Sequence, residues 1–149
     1  MLKNLLARTA VAAVLTAAPL AYAAGPVIDV YKTATCGCCT AWVDHLKSNG
    51  FKLVVHNVDD PGRIRAKFGI GEQYGSCHTG VVNGNAIEGH VPAASIRKLL
   101  REKPKARGLA VPGMPMGSPG MEGARKEAYE VLLVEKGGTA RTFTKHSAH

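Results

Sequence analysis

The sequence is short of aromatic rings, of acids and of long apolar runs. Three phenylalanines, four tyrosines and one tryptophan in 149 residues provide no stacking platform beside the cations, which a single-stranded nucleic-acid binder needs. Acids number 11 against 19 lysines and arginines, but the cations are scattered, as in Lys47, Lys52, Arg63, Arg97 and Arg101, rather than blocked. Such scattered basicity serves solubility and attraction to anionic surfaces, and nucleic acid is not an expected partner. The apolar run TAVAAVLTAAPL (Thr9 to Leu20) is shorter than the roughly 20 residues of a bilayer span. There is no internal repeat and no sign of a second domain.

The same run sits where the apolar centre of a secretory signal belongs. MLKNLLAR before it carries Lys3 and Arg8 and no acid, and Ala21-Tyr22-Ala23 after it offers small residues three and one before a cut. A signal peptide over residues 1–23 is therefore expected, with a single mature domain over residues 24–149. The mature chain then has 149 − 23 = 126 residues and a net charge of 17 − 11 = +6, enough for one packed core and too few for two. Export leads to an oxidising compartment, where exposed thiols tend to pair unless something protects them.

Three of the four cysteines, Cys36, Cys38 and Cys39, fall within four residues in TATCGCCTAW (Thr33 to Trp42). A disulfide framework ties distant elements together, and three cysteines in one turn do that poorly. Adjacent Cys38 and Cys39 also make a strained pair.

The elements read in order as follows. VIDVYK (Val27 to Lys32) is a strand, and TAWVDHLKSNG is an amphipathic helix stopped by Gly50. FKLVVHNV (Phe51 to Val58) is a second strand, DDPGR a break and RIRAKFGI a short helix. Asn83-Gly84 between apolar pairs marks a hairpin. AASIRKLLREKP is a helix ended by Pro104, and YEVLLVEKGGTARTFTKH is a C-terminal hairpin around Gly137-Gly138. Residues 105–123 read as one long loop rich in Met, Gly and Pro. The ending HSAH reads as frayed, with His146 and His149 as solvated tail residues. Trp42 is expected to pack the first helix on the sheet, and His45 and His56 are expected on the surface or in the core.

This β-α-β-α-β-β-α order, with Cys36 and Cys39 in C-x-x-C spacing at the first strand-to-helix turn, resembles the thioredoxin-like fold. The fold class expected is α/β, a central mixed sheet flanked by helices. A helix N-terminus favours thiolate there. The resemblance also implies that QYGSCHTGVV brings Cys77 against the turn, at the place where such folds normally carry a cis-proline; Ser76-Cys77-His78 stands there instead.

Four convergent thiols with no neighbouring Asp or Glu form a soft site that selects Cu(I), Zn(II) or iron–sulfur and rejects Mg or Ca. A Zn site of four cysteines uses two C-x-x-C-type knuckles, and only Cys77 is available for the second. Adjacent Cys38 and Cys39 suit bridging between ions, which implies a multinuclear Cu(I) cluster. His78, next to Cys77, is a candidate ligand, and His90 in IEGHVP a candidate ligand or supporting group. Met114, Met116 and Met121 share one loop; thioethers suit Cu(I), although methionines also serve as apolar anchors.

CGCC, SCHT, IEGHVP and GLAVPGMPMGSPGME, in this order, resemble the periplasmic copper-resistance CopG family, long catalogued as a domain of unknown function. The resemblance runs from about Val27 to Val134. It implies a periplasmic, thioredoxin-like domain whose Cys36, Cys38, Cys39 and Cys77 hold several copper ions. It also implies a role in copper tolerance, with Cu(I)/Cu(II) interconversion and a copper-transfer or redox partner. The alternative is a thiol–disulfide oxidoreductase with Cys36 as nucleophile and Cys39 resolving. A disulfide-stapled binding module is a third reading.

Overall fold

A computed structural model describes residues 25–148; the expected signal segment, residues 1–23, lies outside the described residues, as does His149. The described residues form a mixed seven-stranded sheet in the order β2-β1-β3-β4-β5-β6-β7 with three α-helices. The strands are β1 (Val27–Lys32), β2 (Lys52–Asn57), β3 (His78–Val82), β4 (Asn85–Glu88), β5 (Ala106–Ala110), β6 (Tyr129–Glu135) and β7 (Ala140–His146). The helices are α1 (Gly37–Ser48), α2 (Pro61–Lys67) and α3 (Ala93–Glu102), with a 3-10 turn over Glu72–Tyr74. β1 runs parallel to β2 and β4 parallel to β5, and the other pairs are antiparallel.

Period-two alternation along the strands divides the core between the two faces of the sheet. Ile28, Val30, Ile87, Leu109, Val131 and Leu133 meet Trp42, Val43 and Leu46 of α1 and Ile96 and Leu99 of α3. On the other face Ala86, Ala110 and Val134 pack with Ile70, Phe68 and Tyr74. Trp42 is fully buried, and its Nε1 donates to the Val91 carbonyl at 2.9 Å. It thereby ties α1 to the segment leaving β4.

Local signals explain most boundaries. Asn83 (φ 49°) and Gly84 (φ 77°) both adopt the left-handed conformation that a two-residue hairpin turn demands. The break expected at DDPGR is instead the start of α2. Asp60 caps it by accepting from Gly62 N at 2.9 Å, and Pro61 occupies the first turn, where a missing N–H costs nothing.

Two expectations are overturned. Residues 105–123 are not one loop, because Ala106–Ala110 form β5. ARGLA has weak strand propensity; pairing with β4 on one side and β6 on the other supplies its backbone partners. His146 is not a tail residue either. It closes β7, with its ring stacked on Tyr129 at 4.7 Å.

Candidate metal centre

The chain leaves β1 through a turn in which Cys36 N donates to the Thr33 carbonyl at 3.2 Å, and α1 begins at Gly37. Cys36 is the N-cap, and its sulfur accepts from Cys39 N at 3.3 Å. The cap explains why the helix begins at Gly37 and takes in Cys38 and Cys39 rather than starting at Thr40 as expected. Cys36 and Cys39 are joined as a disulfide, while Cys38 and Cys77 are free and half-buried. Cys36 Sγ lies 3.6 Å from Cys38 Sγ, and Cys39 Sγ lies 3.8 Å from the Cys77 carbonyl oxygen. The sulfurs of Cys36, Cys38, Cys39 and Cys77 all fall within 4.8 Å of one another. Cys39 and Cys77 stand 38 positions apart, and β2, α2 and the return to β3 beside β1 bring them together.

A second group shares Cys77. Its sulfur lies 3.4 Å from His78 Nδ1 and 3.2 Å from His90 Nε2, and the three ligand atoms fall within 4.8 Å of one another. His90 Nδ1 donates to the Pro119 carbonyl at 2.8 Å, so the lone pair of the neutral ring sits on Nε2, facing Cys77. That is the arrangement by which a carbonyl fixes the tautomer of a ligating histidine. His78 is fully buried, its ring 4.3 Å from that of Trp42, and its Nε2 has no partner in hydrogen-bond geometry.

Burial is the largest influence on all three groups. It pushes the Cys77 thiol up to about 11, with Cys38 adding to the rise and the Ser76 hydroxyl opposing it. It brings His78 down to about 3, helped by the neighbouring His90. His90 is lowered as well, against the pull of the Pro119 carbonyl and Glu122. At neutral pH both imidazoles are uncharged and offer lone pairs, while Cys77 holds its proton until something replaces it.

The donors suit a soft or borderline metal. Two ligands sharing one ion at metal–sulfur and metal–nitrogen distances of about 2.3 and 2.0 Å sit roughly 3.5 Å apart, close to the separations of Cys77 from both histidines. Neither ligand group contains a carboxylate. In this disulfide form Cys36 and Cys39 must first be reduced to act as thiolates.

The supporting residues were not among the expected site residues. Glu88 is fully buried, and it holds the Cys77 segment from behind. Its Oε1 accepts from Ser76 N at 2.7 Å and its Oε2 from Thr79 Oγ1 at 2.6 Å, with Arg65 Nη1 3.5 Å from Oε1. A carboxylate therefore does neighbour the thiols, as a brace outside the ligand groups. The signal available was an acid alternating with Ala86 on an inward face of the hairpin. Lys32, also buried, donates to the Thr33 carbonyl at 3.0 Å, ahead of the cysteine turn.

The methionine-rich segment closes over the centre through its backbone. Ser76 Oγ donates to the Gly113 carbonyl at 2.6 Å and Gly113 N to the Gly75 carbonyl at 3.0 Å. A Cβ on Gly120 would stand 2.6 Å from the Cys38 carbonyl oxygen and 2.9 Å from Trp42 N. Met114 is exposed, whereas Met116 and Met121 are half-buried. His45 and His56 lie outside both groups. His45 Nε2 accepts from Ala93 N at 3.2 Å, and His56 Nε2 pairs with Asp29 at 2.8 Å.

Residues 74–121 match the family described as "Protein of unknown function, DUF411". That span holds Cys77, His78, His90 and the methionine loop. No curated protein sequence matches the chain. Among solved structures, "Copper resistance protein copG", Form 2, is 48% identical, covers 81% of this chain and 98% of its own, and superposes with a TM-score of 0.77. Form 1 is 47% identical, covers 83% and 99%, and gives the same TM-score of 0.77.

Proposed function

This chain belongs to the family of the copper resistance protein CopG, and on that premise we propose that it binds copper in the service of copper tolerance. Cys36, Cys38, Cys39 and Cys77 would hold several Cu(I) ions in a sulfur-bridged cluster, with His78 and His90 as nitrogen ligands. The observation that carries this reading is the approach of four sulfurs to within 4.8 Å of one another, drawn from two separate segments. Thiolates at that density select Cu(I). A thioredoxin-like core is supported by the order β2-β1-β3-β4, in which β1 and β2 are parallel, β3 is reversed and the cysteines lead into α1. A periplasmic location is supported by the charged, apolar and small-residue pattern of residues 1–23. Among the described residues no helix is long and apolar enough to cross a membrane. The cluster would exchange copper or electrons with a periplasmic partner.

Protein produced with excess copper should carry several copper ions per chain and sulfur scatterers in X-ray absorption. Cys38→Ser or Cys77→Ser should lower the copper content, and an unchanged content would sink the cluster.

The Cys36–Cys39 disulfide favours a second reading, thiol–disulfide exchange with Cys36 as the attacking sulfur. Metal-free protein that reduces insulin with sustained turnover would make this the principal activity.

A further inference from the structure

We propose that Cys77, His78 and His90 form a copper site of mixed nitrogen and sulfur donors that persists when Cys36 and Cys39 are joined, so that the disulfide form of the chain still holds one copper ion. The inference rests on the copper-binding reading above and extends it to the oxidised chain. Joining Cys36 to Cys39 withdraws two of the four sulfurs. It leaves untouched a separate trio, in which Cys77 Sγ stands 3.4 Å from His78 Nδ1 and 3.2 Å from His90 Nε2.

The trio is positioned by elements other than the cysteine turn. Ser76 N is anchored on Glu88 at 2.7 Å, His78 opens β3 in register with Lys32, and His90 is oriented by the Pro119 carbonyl at 2.8 Å. None of these contacts involves Cys36 or Cys39; Cys39 approaches the trio with its sulfur, 3.8 Å from the Cys77 carbonyl oxygen. His78 is also fully buried, its ring 4.3 Å from that of Trp42. The donor class differs from that of the sulfur nest. Four thiolates select Cu(I), whereas two imidazoles and one thiolate make the set that serves copper in both oxidation states. Oxidising the dithiol would thus change the kind of copper site on offer without abolishing binding.

The test uses the full mature chain oxidised with oxidised glutathione. Exchange joins Cys36 to Cys39, and the two electrons and two protons of the dithiol leave on two glutathione thiols. One equivalent of Cu(I) is added without oxygen, loose metal is removed, and copper, free thiols and the X-ray absorption spectrum are measured. The expected result is one copper per chain, a first shell containing both nitrogen and sulfur, and two titratable thiols after denaturation. In the oxidised chain His90→Gln should weaken retention by at least about tenfold. If His90→Gln does not fold, Cys77→Ser is read in its place.

The proposal is overturned by an oxidised chain without copper, by an all-sulfur shell, by four thiols after loading, or by oxidised His90→Gln holding copper as the unsubstituted chain does. Loss of copper from the reduced unsubstituted chain would instead remove the copper-binding reading itself, which separates the two failures.

Discussion

His90 presents Nε2 to the sulfur of Cys77 at 3.2 Å while its other ring nitrogen is occupied by the Pro119 carbonyl at 2.8 Å. The contact joins three segments that the sequence keeps apart: the approach to β3, the turn after β4 and the methionine-rich loop. It also gives the loop a function that does not depend on its methionines. The loop supplies the carbonyl that selects the histidine tautomer, and so decides which nitrogen faces the thiol.

That dependence predicts unequal effects at two glycines of the loop. Gly113 and Gly120 both have left-handed backbones, with φ of 68° and 86°. A Cβ on Gly113 meets nothing within 4 Å, whereas one on Gly120 meets the Cys38 carbonyl at 2.6 Å. Gly113→Ala should therefore cost only the conformational term, about 1–2 kcal/mol. Gly120→Ala should cost more and should also reduce copper retention, because the backbone beside Pro119 is forced off α1. Urea unfolding with copper analysis of both variants checks this; equal losses would show that the loop does not hold His90.

Much of this architecture was legible because its signals are local. β1, the body of α1, the Asn83-Gly84 hairpin and the C-terminal hairpin each announce themselves within a few residues. β5 does not, since Ala106, Gly108 and Ala110 become a strand only through partners on both sides. The grouping of Cys77 with the turn followed from the resemblance to the thioredoxin-like fold. The roles of Glu88 and Pro119 were not, because both depend on which side chain faces which backbone atom across the sheet. His146 was misplaced for a similar reason: its stacking on Tyr129 follows from the register of β6 and β7.

Burial of Cys77 predicts a slow thiol in the copper-free, disulfide form. With its pKa pushed up to about 11, only a small fraction is thiolate at neutral pH, and alkylation proceeds through the thiolate. Its reaction with iodoacetamide, followed by mass analysis of the Cys77 peptide, should speed up about tenfold per pH unit between pH 7 and 10. A rate that bends over near pH 9 would place the thiol at its ordinary value.

The three methionines are separable as ligands or anchors. Met116 and Met121 are half-buried in a loop whose contacts to the centre run through Gly113, Pro119 and Gly120. Leucine keeps their volume and removes the thioether, at a cost normally below about 1.5 kcal/mol. Met116→Leu and Met121→Leu should leave the copper content of the reduced chain unchanged. A fall by a whole copper ion in either variant would make that sulfur a ligand.

Glu88 makes a prediction about pH whose sign follows from its burial. Desolvation raises its carboxyl above the ordinary 4.5, although Thr79, Ser76 and Arg65 all favour the charged form. The folded chain thus holds this proton more tightly than the unfolded chain. The resulting stabilisation is complete below pH 4.5 and is lost as the pH climbs through the folded value. Glu88→Gln carries no such proton. Stability of the unsubstituted chain relative to Glu88→Gln should therefore decline from pH 4 towards neutrality, as read from urea midpoints across that range. Glu88→Ala should be worse than Glu88→Gln at every pH. It leaves the Ser76 N–H and the Thr79 hydroxyl buried without an acceptor, at about 1–3 kcal/mol each. Because the Ser76 N–H sits next to Cys77, copper retention should fall with it. Unimpaired copper binding in a folded Glu88→Ala chain would show that the brace sets stability alone.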